Sequence, residues 1–278
     1  MAYPSTYEYY VSFISRLATM AISMLALILL IGVFIELPAF YRPLINGQAT
    51  HPLTALLVIF ASVQLFRISS NKATALHSIN CCSFSIVMCF LVLLDNWFNL
   101  LFVEGLTDHI GAFEYEKSLG LETRVGNNTA VMFTFLALSH LCFLTERRKL
   151  CLSFAIAALI VITISLLGYF VDHSNLYGGT SLMTASIGLQ LCLFTILMGL
   201  TQLSDSKHFH RLSKKSVFWL LCLATIIPFA LILTAYSGAK ARPFSFLLMG
   251  SPWLIAFTGS LYLYVLDKVE VVRSYESN

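Results

Sequence analysis

Of the 278 residues, 58% are apolar and 11% charged, with 22 Phe and a formal charge of +3. An ordinary soluble domain carries about 25% charged residues, so this composition excludes one. The slight basic excess reads as a topology signal, and no nucleic-acid partner is expected from it.

The chain reads as an all-α, polytopic membrane protein forming a single integral membrane domain over residues 1–278, with eight transmembrane helices. A helix needs roughly 20 apolar residues to cross the hydrocarbon core, and eight nearly charge-free runs meet that length. They lie between Arg16 and Glu36, Arg42 and Arg67, Lys72 and Asp95, Arg124 and Glu146, Lys149 and Asp172, Asp172 and Asp205, Lys215 and Lys240, and Arg242 and Asp267.

The first span is predicted over about 13–35, behind the interfacial rings of Tyr3, Tyr7, Tyr9 and Tyr10; without a small-residue cleavage site it reads as a retained anchor. The second starts at Pro52 and runs to about Phe66, and the third covers about 76–94. An acidic loop of about 30 residues follows, in which Leu100, Leu101, Val103, Leu106, Ile110 and Phe113 predict one short amphipathic helix lying on the surface. The fourth span runs from Asn127 to Glu146, the fifth from Lys149 to Phe170, and the sixth opens at Ser181. The seventh is predicted over 216–236 with a kink at Pro228, and the eighth from Gly250-Ser251-Pro252-Trp253 to Asp267.

One phrase recurs. His51-Pro52-Leu53-Thr54-Ala55, Asn127-Asn128-Thr129-Ala130 and Ser181-Leu182-Met183-Thr184-Ala185 each set a Thr-Ala pair at the head of an apolar run. Repetition at the same point of successive pairs of spans predicts helical-hairpin repeats, with Gly250-Ser251-Pro252-Trp253 as a degenerate fourth copy. Taken singly, each phrase serves as a helix cap and a point of close approach.

Charge bias sets the orientation. One face carries 12 of the 17 basic residues, including Arg147, Arg148, Lys149, Lys214 and Lys215, and is expected to be cytoplasmic and in contact with lipid headgroups. The opposite face holds 5 basic and 8 acidic residues, so the phrases face outward and both termini lie inside. A ring of positive helix ends there would favour an anionic or polar group. The candidate ligand-binding residues at that level are Thr54, Asp95, Asn96, Trp97, Asn128, Thr129, Tyr169, Asp172, His173, Tyr177 and Thr184, around an outward-facing cavity. Asp95 and Asp172, at predicted helix ends, read as solvated interface residues.

Other chemistry finds no pattern. The seven cysteines show no CxxC spacing and read as packing residues. His77 and His140 sit toward the cytoplasmic ends of their helices, where two histidines can hold a haem, but a satisfied core histidine is the commoner arrangement. His208 and His210 lack companions for a metal set. No metal, cofactor or catalytic set is expected, and the chain is read as non-enzymatic.

The stretch Leu93-Leu94-Asp95, Asn127-Asn128-Thr129-Ala130, Leu166-Leu167-Gly168-Tyr169, Leu176-Tyr177-Gly178 and Met183-Thr184-Ala185 resembles the multi-pass N-terminal membrane sensor module of bacterial PAS-containing histidine kinases and diguanylate cyclases. The likeness covers residues 17–203, and 216–267 are read as two additional helices where those proteins carry an output domain. It implies an inner-membrane sensor or ligand-binding module that takes a small-molecule ligand and signals through a separate membrane or cytoplasmic protein partner. An accessory subunit of a larger complex is the alternative, and a small-solute transporter is a weaker one, since the hairpins share one orientation instead of being inverted.

Overall fold

The computed structural model describes residues 6–44, 47–70, 75–100, 102–105, 110–118, 124–171, 173–204, 245 and 247–261. All regular elements among them are helices, in the order α1 (Thr6–Phe34), α2 (Pro38–Tyr41), α3 (Pro52–Ser69), α4 (Ala75–Phe98), α5 (Phe102–Gly105), α6 (Gly111–Ser118), α7 (Asn127–Leu144), α8 (Arg148–Phe170), α9 (Ser174–Tyr177), α10 (Leu182–Ser204) and α11 (Leu247–Leu261). Six of them, α1, α3, α4, α7, α8 and α10, are long and apolar enough to cross a membrane; α11 is apolar but shorter. The predicted span 216–236, its Pro228, the loop histidines His208 and His210, and Asp172 lie outside the described residues.

The described outer surface suits lipid. On α1 the exposed residues Met20, Met24, Leu27, Ile31 and Phe34 recur at helical spacing, and Ile156, Ile160, Ile164 and Leu167 do the same on α8. A water-facing helix would carry polar side chains on that stripe. The inner faces instead bring small groups together, with Ala18, Ala130, Ala158 and Ala185 fully buried, as helices associating in lipid require.

α10 is the central helix, with 89% of its span buried, whereas α4 has only 28% buried and lies at the periphery. Along the chain α1 packs on α3, α4 on α7 and α8 on α10, while α7 also packs closely on α8. Polar side chains pin the contacts at depth: Ser23 Oγ and Ser62 Oγ pair at 2.7 Å between α1 and α3, and Ser139 Oγ donates to Cys151 O at 2.8 Å between α7 and α8. Cys82, Cys89, Cys151 and Cys192 are buried free thiols within this packing.

Three helix ends close in the same way. Leu37 N, Leu100 N and Arg147 N donate back to Gly32 O, Asp95 O and Cys142 O at 2.9, 3.2 and 2.9 Å, with Glu36, Asn99 and Glu146 left-handed at φ 57°, 53° and 56°. This is the αL closure usually made with glycine. Glu146→Gly is therefore expected to raise stability by about 0.5–1 kcal/mol, by removing the Cβ cost of a left-handed residue. Thermal unfolding in detergent checks this, and a lowered midpoint would contradict it.

Several sequence expectations are corrected. The first helix begins at Thr6 and its apolar span at Tyr9, before residue 13. The third continues through Phe98, so Asp95, Asn96 and Trp97 are helical and do not follow the helix. The acidic loop holds two short helices, α5 and α6, instead of one amphipathic helix: Val103 and Phe113 are buried while Leu100 and Phe102 are exposed. Pro252 lies several residues inside α11, so Gly250-Ser251-Pro252-Trp253 is not a helix start. Pro252 cannot serve Leu248 O, and Ser251 Oγ donates to that carbonyl at 2.9 Å in its place.

Candidate functional site at the Thr-Ala end

The three phrases adopt one local structure. Their caps are His51, Gly126 and Ser181, which puts Thr54, Thr129 and Thr184 at the third helical position and Ala55, Ala130 and Ala185 at the fourth. In each first turn the alanine N–H donates to the cap carbonyl, at 3.1, 3.1 and 2.9 Å. The remaining N–H groups of a helix start need partners, and the sequence supplies them differently. His51 Nδ1 accepts from Leu53 N at 3.1 Å, and Ser181 Oγ accepts from Thr184 N at 3.1 Å. Gly126 has no side chain to do so and is glycine for another reason: a Cβ there would stand 2.4 Å from Gly178 O and 2.6 Å from Thr180 N.

All three threonines turn inward and are buried. Around two of them runs a hydrogen-bond lattice. Thr129 Oγ1 donates to Thr180 Oγ1 at 3.1 Å, and Tyr169 OH donates to Thr180 O at 2.6 Å. Ser181 Oγ pairs with Thr184 Oγ1 at 2.8 Å and with Thr50 Oγ1 at 2.7 Å. Asn128 Nδ2 reaches Ser165 Oγ at 3.0 Å and Leu176 O at 2.7 Å. The rings of Tyr169 and Tyr177 stack with centroids 4.4 Å apart and planes 12° from parallel. The segment 173–181 is thereby fastened to α7, α8 and α10, and the segment before α3 to α10. Thr54 is buried at the matching position of α3.

Asp95 is buried, not solvated. It is 8% exposed, and its carboxylate accepts from Phe102 N at 2.6 Å and Val103 N at 3.1 Å, capping α5 as an aspartate caps any helix start. Asn96, the next residue, donates to Val125 O and to Asn127 Oδ1, both at 2.8 Å, tying the end of α4 to the start of α7. Trp97 points away from both at 84% exposure and stacks on Phe98 with centroids 6.3 Å apart, which suits an interfacial anchor. His173 is exposed. The structure therefore gathers Asn96, Asn128, Thr129, Tyr169, Tyr177 and Thr184 at one end and leaves Trp97 and His173 outside the group.

The sequence missed three participants. Thr180 accepts two of the bonds, and Arg42, only 2% exposed, donates from Nη1 to Gly47 O. Phe113 lies against His51, with ring centroids 5.5 Å apart, and against Tyr41 at 6.3 Å, so α6 covers the start of α3. A space of about 10 Å³ remains between His51, Asp95, Asn96, Arg124 and Val125, the room of about one water molecule. Among the described residues this end is a packed lattice with a small polar gap.

Deeper in the bundle, His140 Nε2 and Thr195 Oγ1 pair at 3.2 Å, while His77 is exposed on α4. Among the described residues no cluster of three His, Cys, Asp or Glu side chains could hold a metal ion.

Helices of this length with apolar outer faces define a multi-pass helical membrane protein. No protein-family model, no curated protein and no solved structure matches the chain.

Proposed function

We propose that the protein is a non-enzymatic sensor or ligand-binding module of the bacterial inner membrane, built as helical-hairpin repeats with both termini cytoplasmic. It signals through a separate partner protein. The observation that carries this is the lattice at the Thr-Ala end, because it fastens a segment outside the spans to three spanning helices through side-chain bonds. Asn128, Thr129, Tyr169 and Ser181 hold the segment 173–181 to α7, α8 and α10. An external ligand or lipid that displaces this segment changes the restraint on all three helices at once, and their opposite ends meet the basic face. The pairing of α1 with α3, α4 with α7 and α8 with α10 supports the hairpin repeat, and the basic bias of the far side supports the orientation.

Hydrogen bonds between membrane helices contribute about 0.6–2 kcal/mol each, so removing one weakens the coupling without unfolding the bundle. Asn128→Ala, which loses the bonds to Ser165 and Leu176, and Tyr169→Phe, which loses the bond to Thr180, are expected to reproduce a chromosomal deletion's phenotype. Both should accumulate in the membrane at near wild-type level, which immunoblotting of membrane fractions measures. Wild-type behaviour of both variants at normal abundance would sink the proposal.

A further inference from the structure

Polar side chains recur at a second level of the bundle. Gln64, His140 and Thr195 stand 13, 14 and 14 residues beyond the caps His51, Gly126 and Ser181, about 20 Å down each helix at 1.5 Å per residue. His140 and Thr195 satisfy each other. Gln64 does not share in that pair: it is 2% exposed, and neither its amide oxygen nor its amide nitrogen has a hydrogen-bond partner. Burying an amide unpaired costs on the order of 2–7 kcal/mol, and polar groups kept inside a membrane at such expense are functional by default.

The amide faces a cavity of about 10 Å³ between α3, α4 and α7, shared with His140, Ser85, Cys82, Phe133 and Phe60. That volume holds one oxygen atom and no ring. Of its lining residues only Phe60 on α3 and Cys81 on α4 are partly exposed, so the cavity meets the outer surface at the seam of these two helices, a lightly packed junction compared with that of α4 and α7. At its mouth Phe60 and Phe84 meet edge to face at 5.2 Å, and Phe84 is 44% exposed.

We infer that this cavity binds the carbonyl oxygen of a lipid-dissolved quinone, with the quinone ring taking the place of the half-exposed Phe84 ring against Phe60. Four features select that chemistry. Entry from the seam requires a guest that travels in the bilayer. The lining contains no Lys or Arg to hold a carboxylate or phosphate. The Gln64 amide offers N–H donors to a neutral acceptor, and the aromatic mouth suits a flat ring, for which offset or edge contacts contribute about 0.5–1.5 kcal/mol. The site uses none of the lattice residues at the other end, so it stands or falls separately from the function proposed above.

The test uses the full chain in lipid nanodiscs and an azido-substituted benzoquinone with a decyl tail, mapped by mass spectrometry after photolysis. Saturable labelling is expected in the peptides containing Phe60–Gln64 and Cys81–Ser85, competed by the parent decylquinone and not by decylbenzene or palmitate. Gln64→Leu is expected to raise the half-saturating concentration at least about tenfold while keeping or raising the thermal midpoint, because it removes an unpaired amide. Gln190→Leu alters an equally unpaired amide that does not line the cavity, and should leave labelling unchanged. Phe84→Ala opens the mouth and should speed labelling, which keeps the test decisive even where Gln64→Leu accumulates poorly. Labelling at other sites, no saturable labelling in either wild type or Phe84→Ala, equal competition by decylbenzene or palmitate, or unchanged affinity in Gln64→Leu overturns the inference.

Discussion

Gly126→Ala is expected to destabilise the protein by about 2–3 kcal/mol, the upper range for forcing an extra methyl into packed structure. The added Cβ would lie 2.4 Å from Gly178 O, 2.6 Å from Gly179 C and 2.6 Å from Thr180 N, all backbone atoms. Backbone yields only if the segment lifts, and this segment is held by Tyr169 OH on Thr180 O, Thr129 on Thr180 and Asn128 on Leu176 O. Nor can it reshape easily, because Gly178 and Gly179 already use left-handed φ values of 51° and 75°. Gly188→Ala is the control. Its new Cβ would meet Met132 Sδ at 2.4 Å, but a thioether on three rotatable bonds can swing aside, so the loss there should stay under about 1 kcal/mol. Thermal unfolding of both variants in one detergent decides the matter. Equal shifts would show that the clamp on Gly126 is not rigid.

Sequence exposed the helix starts because their chemistry is local. Proline at the first helical position before Leu53, and serine ahead of Leu182, are start signals that need no tertiary contact. The Thr-Ala phrase was legible as a recurring helix start, but the direction its threonine faces was not. Only with the caps fixed at His51, Gly126 and Ser181 does the threonine fall at the third position, facing the bundle interior. Asp95 shows the limit most clearly. An acid near a helix end ordinarily meets water, and nothing local reveals that the chain folds back to offer it the N–H groups of Phe102 and Val103. Its neighbour Trp97, two residues on, projects about 200° around the helix, so the two were never able to share one cavity.

Gln64 escaped notice for a related reason. A neutral amide does not interrupt a charge-free run, so a search for spans passes over it. The available signal was positional: counted from the phrases, Gln64, His140 and Thr195 fall at nearly one depth. Depth along successive helices is information that hydropathy averages away, since a window of about 19 residues weights every position alike.

Trp253→Ala tests how α11 joins the bundle. The indole is 2% exposed, and its Nε1–H donates to Ser186 Oγ on α10 at 3.1 Å. Removing a buried tryptophan costs about 3–5 kcal/mol where the surroundings cannot collapse. Lipid weakens the transfer part of that cost but cannot fill a void inside packed helices, so lost dispersion contacts dominate. Ser186→Ala removes only the hydrogen bond and should cost about 0.6 kcal/mol. The head of α11 has a separate tether, Ser245 Oγ to Ala39 O in α2. Trp253→Ala is therefore expected to loosen the body of the helix first, with faster hydrogen exchange across 247–261 and a lower thermal midpoint, while α1 to α10 stay protected. Matching midpoints for Trp253→Ala and Ser186→Ala would mean that the indole ring contributes no packing to the attachment of α11.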